Sequence, residues 1–91
     1  MKRKTLKVVN PLGFHARAAA KFVAEASRFD SQISVVFKDK EMDGKSILGL
    51  LLLAAPQGGS IQVRANGRDE AEAIKALTAL VAAGFGEVPR A

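Results

Sequence analysis

Residues 5–28 read TLKVVNPLGFHARAAAKFVAEASR, and the change of period inside this stretch decides the fold. Thr5 to Val9 alternates, with Leu6 and Val8 on one side, which predicts a first strand. Asn10-Pro11-Leu12-Gly13 is a run of turn formers and predicts a loop. From about Ala16 to Arg28 the period becomes helical. Ala19, Phe22, Val23 and Ala26 make one apolar stripe, and Arg17, Lys21 and Arg28 fall on the opposite side. A strand that passes through a short loop into an amphipathic helix opens a layered α/β domain.

The rest of the chain repeats this alternation of periods. Gln32 to Lys38 predicts a strand with Ile33, Val35 and Phe37 inward, and Asp39-Lys40 a tight turn into a short strand through Met42. Ser46 to Ala54 predicts a helix of about two turns, ended by Pro56 and the Gly58-Gly59 pair. Ser60 to Ala65 predicts a strand with Ile61, Val63 and Ala65 inward, closed by an Asn66-Gly67 turn. Asp69 is placed to cap a last helix whose apolar face is Ala73, Ile74, Leu77, Leu80 and Val81, with Gly84 as its stop. The order is β-α-β-β-α-β-α, and such a chain buries both kinds of element as a two-layer α/β sandwich with helices on one face of a sheet. No linker, repeat or low-complexity tract divides the 91 residues, so residues 1–91 are expected to form a single domain with a radius of gyration of roughly 12 Å.

Composition excludes several function classes. With no cysteine there are no disulfides, thiolate nucleophiles or Cys-based zinc sites, and no metal site or cofactor is implied; a cytoplasmic address fits. The net charge of +5 raises the question of nucleic acid. Four of the fourteen basic residues are Lys2, Arg3, Lys4 and Lys7, with no acid among the first seven positions, so the excess is mostly a fringe, best read as a solvated strand start. A nucleic-acid binder would need a continuous basic face with stacking aromatics, and the strands offer only Phe37. The longest apolar run, Leu50 to Ala55 with Ile47 and Leu48 upstream, falls far short of the ~20 residues of a membrane span. No secretory signal is visible.

His15 is the only histidine, and it lies between the loop and the helical stripe, at or beside a helix N-cap. Helix N-termini present unpaired N–H groups and a partial positive charge, the groups that hold a phosphate. Arg17 adds a planar fork of donors suited to phosphate oxygens. An imidazole is largely unprotonated and nucleophilic near neutral pH. Together these describe a phosphoryl acceptor. The plainer reading, a helix-start histidine hydrogen-bonded to a loop carbonyl, is left open by the residues themselves.

The run Asn10-Pro11-Leu12-Gly13-Phe14-His15-Ala16-Arg17-Ala18-Ala19 resembles the active-site signature of the HPr family, the histidine-containing phosphocarriers of the bacterial phosphoenolpyruvate-dependent phosphotransferase system. Gly44-Lys45-Ser46-Ile47-Leu48-Gly49 resembles that family's regulatory serine segment, and spacing, length and element order agree over about residues 4–86. The resemblance implies a four-stranded antiparallel sheet with three helices on one face. It implies that His15 takes a phosphoryl group on Nδ1 from phosphorylated Enzyme I and passes it to an Enzyme IIA domain, with Arg17 contacting the phosphoryl oxygens and acidic groups of the partner. The carrier is expected to be a monomer and a step in a relay rather than a stand-alone enzyme. Ala18 departs from the family's common Pro, which removes some pre-organisation of the helix start, and Phe14 replaces the commoner Leu.

Ser46 is expected to be an N-cap. The resemblance adds phosphorylation by a kinase/phosphorylase, whose charge would repel an acidic partner. The short helix is apolar nearly all round: Leu50, Leu53 and Ala54 lie on one side, Ile47, Leu48 and Leu51 on another, and Leu52 enlarges the apolar area. One side is therefore expected to remain exposed for docking, rimmed by Arg17, Lys21 and Lys45. An alternative function is a regulatory, nitrogen-type phosphotransferase protein, or a signalling or corepressor partner once Ser46 is phosphorylated.

Overall fold

A computed structural model of the chain describes residues 1–87; the remainder of the expected domain, residues 88–91, lies outside the described residues. The elements follow as β1 (Lys2–Lys7), α1 (Ala16–Ala26), β2 (Gln32–Phe37), β3 (Lys40–Asp43), α2 (Ile47–Leu53), β4 (Ser60–Asn66) and α3 (Glu70–Ala82), with a short 3₁₀ turn at Gly84–Gly86. The expected order of elements is thus observed. All strand pairs are antiparallel and the sheet order is β1-β4-β2-β3.

Alternation along β2 and β4 sends Ile33, Val35, Ile61, Val63 and Ala65 to the helix side, where all are buried. They meet Ala18, Ala19, Phe22 and Ala26 of α1, Leu50 and Leu53 of α2, and Ala73, Leu77 and Val81 of α3 in one contiguous core. Alanine at these helical positions lets the helices lie close to the sheet. The radius of gyration is 11.8 Å.

Several boundaries differ from the sequence expectation. β1 runs Lys2–Lys7 rather than Thr5–Val9, because its ladder with β4 extends from Lys2↔Ala65 to Lys7↔Ser60. The basic fringe is this edge strand, and exposed lysines on an edge discourage pairing with other chains. Val8 remains buried beyond the strand, held by its N–H to Gly59 and by its carbonyl from Gly58. α1 stops at Ala26, and Ala18 joins its buried stripe while Val23 is only partly covered. α2 ends at Leu53, earlier than Pro56 would require, because Ala54 turns left-handed at φ 52° and its side chain is exposed.

Asp69 stands at the N-cap of α3 as expected, yet its carboxylate does not cap the helix. It reaches across to the α1–β2 loop, accepting from the Asp30 N–H (2.9 Å), the Ser31 N–H (3.0 Å) and the Ser31 hydroxyl. Glu70 braces the preceding turn instead, accepting from the Gly67 N–H at 3.1 Å.

Candidate functional site

The site is assembled at the end of the sheet where β1 leaves and β4 begins. The loop after β1 is fixed by Gly13, whose φ of 63° and close approach to Ala55 leave no room for a side chain: a Cβ there would lie 2.3 Å from the Ala55 carbonyl oxygen. The next residue, Phe14, donates its N–H to that same carbonyl at 3.0 Å and buries its ring against Phe22 (5.7 Å between centroids) and Phe85 (5.5 Å). Phe14 therefore links the loop, α1 and the C-terminal turn.

Between Phe14 and the helix stands His15, the N-cap residue of α1, with extended backbone (φ −81°, ψ 178°) and no side-chain cap bond. Its carbonyl accepts from Ala19 at 2.9 Å, so the N–H groups of Ala16, Arg17 and Ala18 are left without helical partners. No acidic residue occupies the first turn to compete for an anion. The imidazole is half-buried. Its Nε2 pairs with a carboxylate oxygen of Glu87, and its Nδ1 has no partner among the described residues. The loop-carbonyl bond of the plainer sequence reading is replaced by this carboxylate contact. The same contact, followed by burial and the Asn10 amide, bears on Glu87: His15 holds the Glu87 carboxyl below the usual carboxylate range.

Asn10 is 1% exposed. Its amide donates to the Gly13 carbonyl (2.7 Å) and to Glu87 (3.3 Å), while its Oδ1 is buried without a partner among the described residues. Glu87 is not indicated by the sequence as a site residue, and Asn10 enters there only as the first residue of the signature run, without a role. Glu87 lies 72 positions from His15, and the only hint was the glycine pair around Phe85.

Of the three cations expected at the rim, only Arg17 is exposed with no partner among the described residues. Lys21 donates its ammonium to the Phe85 carbonyl (2.7 Å) and Lys45 to the Phe29 carbonyl (2.7 Å). Ser46 caps α2, its hydroxyl accepting from the Gly49 N–H at 3.0 Å. Next to it Ile47 and Leu48 are 43% and 66% exposed, so one side of α2 is uncovered. Leu51 is partly buried against the core, whereas Leu52 on the same helix is exposed, as is Leu12 in the loop after β1. The exposure of Leu12 was not anticipated. Among the described residues no cluster of His, Cys, Asp and Glu is gathered as metal ligands would be, and no helix is long and apolar enough to cross a membrane.

Comparison with known proteins places the chain. A family model described as "PTS HPr component phosphorylation site" matches residues 2–83. The phosphocarrier protein HPr of Neisseria meningitidis serogroup A is 46% identical over 87 residues, spanning 96% of this chain and 98% of that protein. The phosphocarrier protein NPr of Shewanella violacea is 40% identical over 84 residues, 92% of each. The crystal structure of HPr-C-His from Thermoanaerobacter tengcongensis superposes with a TM-score of 0.94 at 46% identity, covering 98% of this chain and all of that one.

Proposed function

The chain belongs to the HPr family of phosphotransferase-system phosphocarriers, and from that premise we propose that His15 is the residue that carries the phosphoryl group. The family works with the Enzyme I and Enzyme IIA components of that system. In this reading the group arrives at Nδ1 of His15 from phosphorylated Enzyme I and leaves to an Enzyme IIA domain. The open N–H groups of Ala16, Arg17 and Ala18 hold its oxygens, and the Arg17 fork neutralises them. The exposed Ile47 and Leu48, with the edge of Leu51, form the apolar centre of a transient docking face, and Lys21 and Lys45 lend it charge. Phosphorylation of Ser46 by a kinase/phosphorylase would set a dianion beside that face. All these residues lie on one chain, so a monomer suffices, and a cytoplasmic setting goes with the role.

The observation that carries the reading is the half-buried imidazole at an uncapped helix N-terminus, one nitrogen taken and the other without a partner among the described residues. Incubation with Enzyme I and labelled phosphoenolpyruvate tests it. The label is expected on His15 alone, acid-labile and base-stable, and absent from His15→Ala. Undiminished label in that variant would overturn the assignment.

The 40% identity to NPr of Shewanella violacea favours a second reading, in which the downstream acceptor is a regulatory Enzyme IIA rather than a sugar-transport one. Presenting the phosphorylated protein to acceptors of both kinds separates the two.

A further inference from the structure

The chain after α3 adopts an unfavourable conformation to bring one carboxylate back to His15. Gly84, Phe85 and Gly86 have φ of 61°, 57° and 76° in succession. Glycine accepts such angles freely, but a buried phenylalanine does not. Phe85 is held there by the Phe14 ring and by Lys21, which donates to its carbonyl. The outcome of this reversal is that Glu87 points into the site, where one carboxylate oxygen meets Nε2 of His15 and the other accepts from Asn10. Asn10 is itself pinned at 1% exposure by its bond to Gly13, beside the loop that carries His15.

Resting on the assignment of His15 as phosphoryl acceptor, we propose that Glu87, oriented by Asn10, is a positioning residue for phosphoryl transfer. Its carboxylate accepts from Nε2–H and so keeps the imidazole in the tautomer whose lone pair is on Nδ1. When that lone pair forms the N–P bond, the donor's bond to phosphorus breaks and its electron pair stays on the donor atom. No proton leaves His15, so the ring becomes an imidazolium, and Glu87 faces the new positive charge. Onward transfer returns the electron pair to Nδ1. Among the described residues the other charge acting on Glu87 is Lys21.

The test uses the full chain with ring-¹⁵N histidine and two variants. In Glu87→Ala the Nε2–H tautomer is expected to lose its dominance and acceptance from Enzyme I to slow roughly tenfold, the factor that one lost charge-assisted hydrogen bond represents. In Glu87→Gln the amide oxygen still accepts from Nε2–H, so the ring ¹⁵N shifts return to the parent's while transfer stays slow. A merely structural role would move both readouts together and would not separate the two variants. A parent labelled at His15, with Glu87→Ala keeping the parent's ring shifts and a rate within twofold, overturns this proposal alone. A parent that takes no label at His15 overturns the acceptor assignment and this proposal with it.

Discussion

Asp69 and His15 both stand at the N-cap of a helix, at opposite ends of the same sheet, and neither side chain caps its helix. They depart from the usual role in opposite directions. The Asp69 carboxylate is surrounded by donors on the α1–β2 loop, and Arg68–Asp30 and Glu70 with the Met1 ammonium (3.2 Å) add further ties nearby. Among the described residues His15 has a carboxylate on one nitrogen and no partner on the other, above three N–H groups without helical partners. One end uses its polar groups to hold elements together. The other leaves them available for a visitor, and its loop and C-terminal turn pass through left-handed conformations at Gly13 and at residues 84–86. Stability and chemistry should therefore be separable by single substitutions.

The sharpest break sets His15→Ala against Asp69→Asn. His15→Ala is expected to lose all label with its melting curve nearly unmoved. Asp69→Asn should keep full transfer and melt lower. The Asp69 carboxyl is lowered from 3.8 to about 2, first by the Ser31 hydroxyl and then by the backbone N–H of Asp30. A carboxylate with a depressed folded pKa stabilises the fold fully above its unfolded pKa and loses that contribution as pH falls through the folded one. The melting difference between parent and Asp69→Asn should thus be constant above pH ~4 and shrink between pH ~4 and ~2. Melting curves across that range, with transfer measured at neutral pH, check both halves; a difference that persists unchanged at pH ~2 would remove Asp69 from the account of acid stability.

Arg17→Lys sharpens the same contrast at lower cost to the molecule. It keeps the charge and loses the fork that matches phosphoryl oxygens. Transfer in both directions is expected to slow by roughly tenfold, the equivalent of one charge-assisted hydrogen bond, while the melting temperature stays with the parent. Rates equal to the parent's would make Arg17 a solvated helix residue.

The comparison also marks what could be read from the chain. Period-two runs around Ile33–Phe37 and Ile61–Ala65 located the central strands, because those strands bury one face only and so alternate cleanly. Lys2–Lys4 could be read only as a solvated strand start, with the strand itself placed from Thr5, because an edge strand satisfies its ladder without burying side chains and no alternation is written into it. His15 and Arg17 were legible because their chemistry is local: a loop, a helix start and two side chains within three residues. Glu87, Asn10 and the true partners of Asp69 were not, because each depends on segments that only the fold brings together. Gly84 was legible as a helix stop, but the left-handed reversal through Gly84-Phe85-Gly86 that returns the chain to His15 appears only with the Phe14–Phe85 contact. Lys21 and Lys45 looked like free cations because sequence shows charge but not the carbonyls that engage it.

Ser46 gives the smallest effect and the finest division, since it stands at the third N-cap and there the side chain does cap, at 3.0 Å from the Gly49 N–H. Ser46→Ala should cost about 1 kcal/mol of stability through the lost cap and leave acceptance unchanged. Ser46→Asp places a carboxylate where α2 has no acid in its first turn, and an acidic oxygen at a helix N-terminus accepts from the same N–H, so stability should hold within about 1 kcal/mol of the parent. The new charge also lies next to the exposed Ile47 and Leu48, on the short helix that packs beside α1 and its Arg17. An acidic partner approaching that face meets like charge where it met apolar surface, so acceptance should fall a few-fold at low salt. The loss should shrink as the ionic strength passes ~0.15 M, where screening acts over about 8 Å. One melting curve and one initial rate per variant at two salt concentrations decide the matter. A lower rate that ignores salt would point to distortion of the docking face rather than repulsion, and equal rates for Ser46→Asp and the parent at low salt would leave Ser46 as a cap and nothing more.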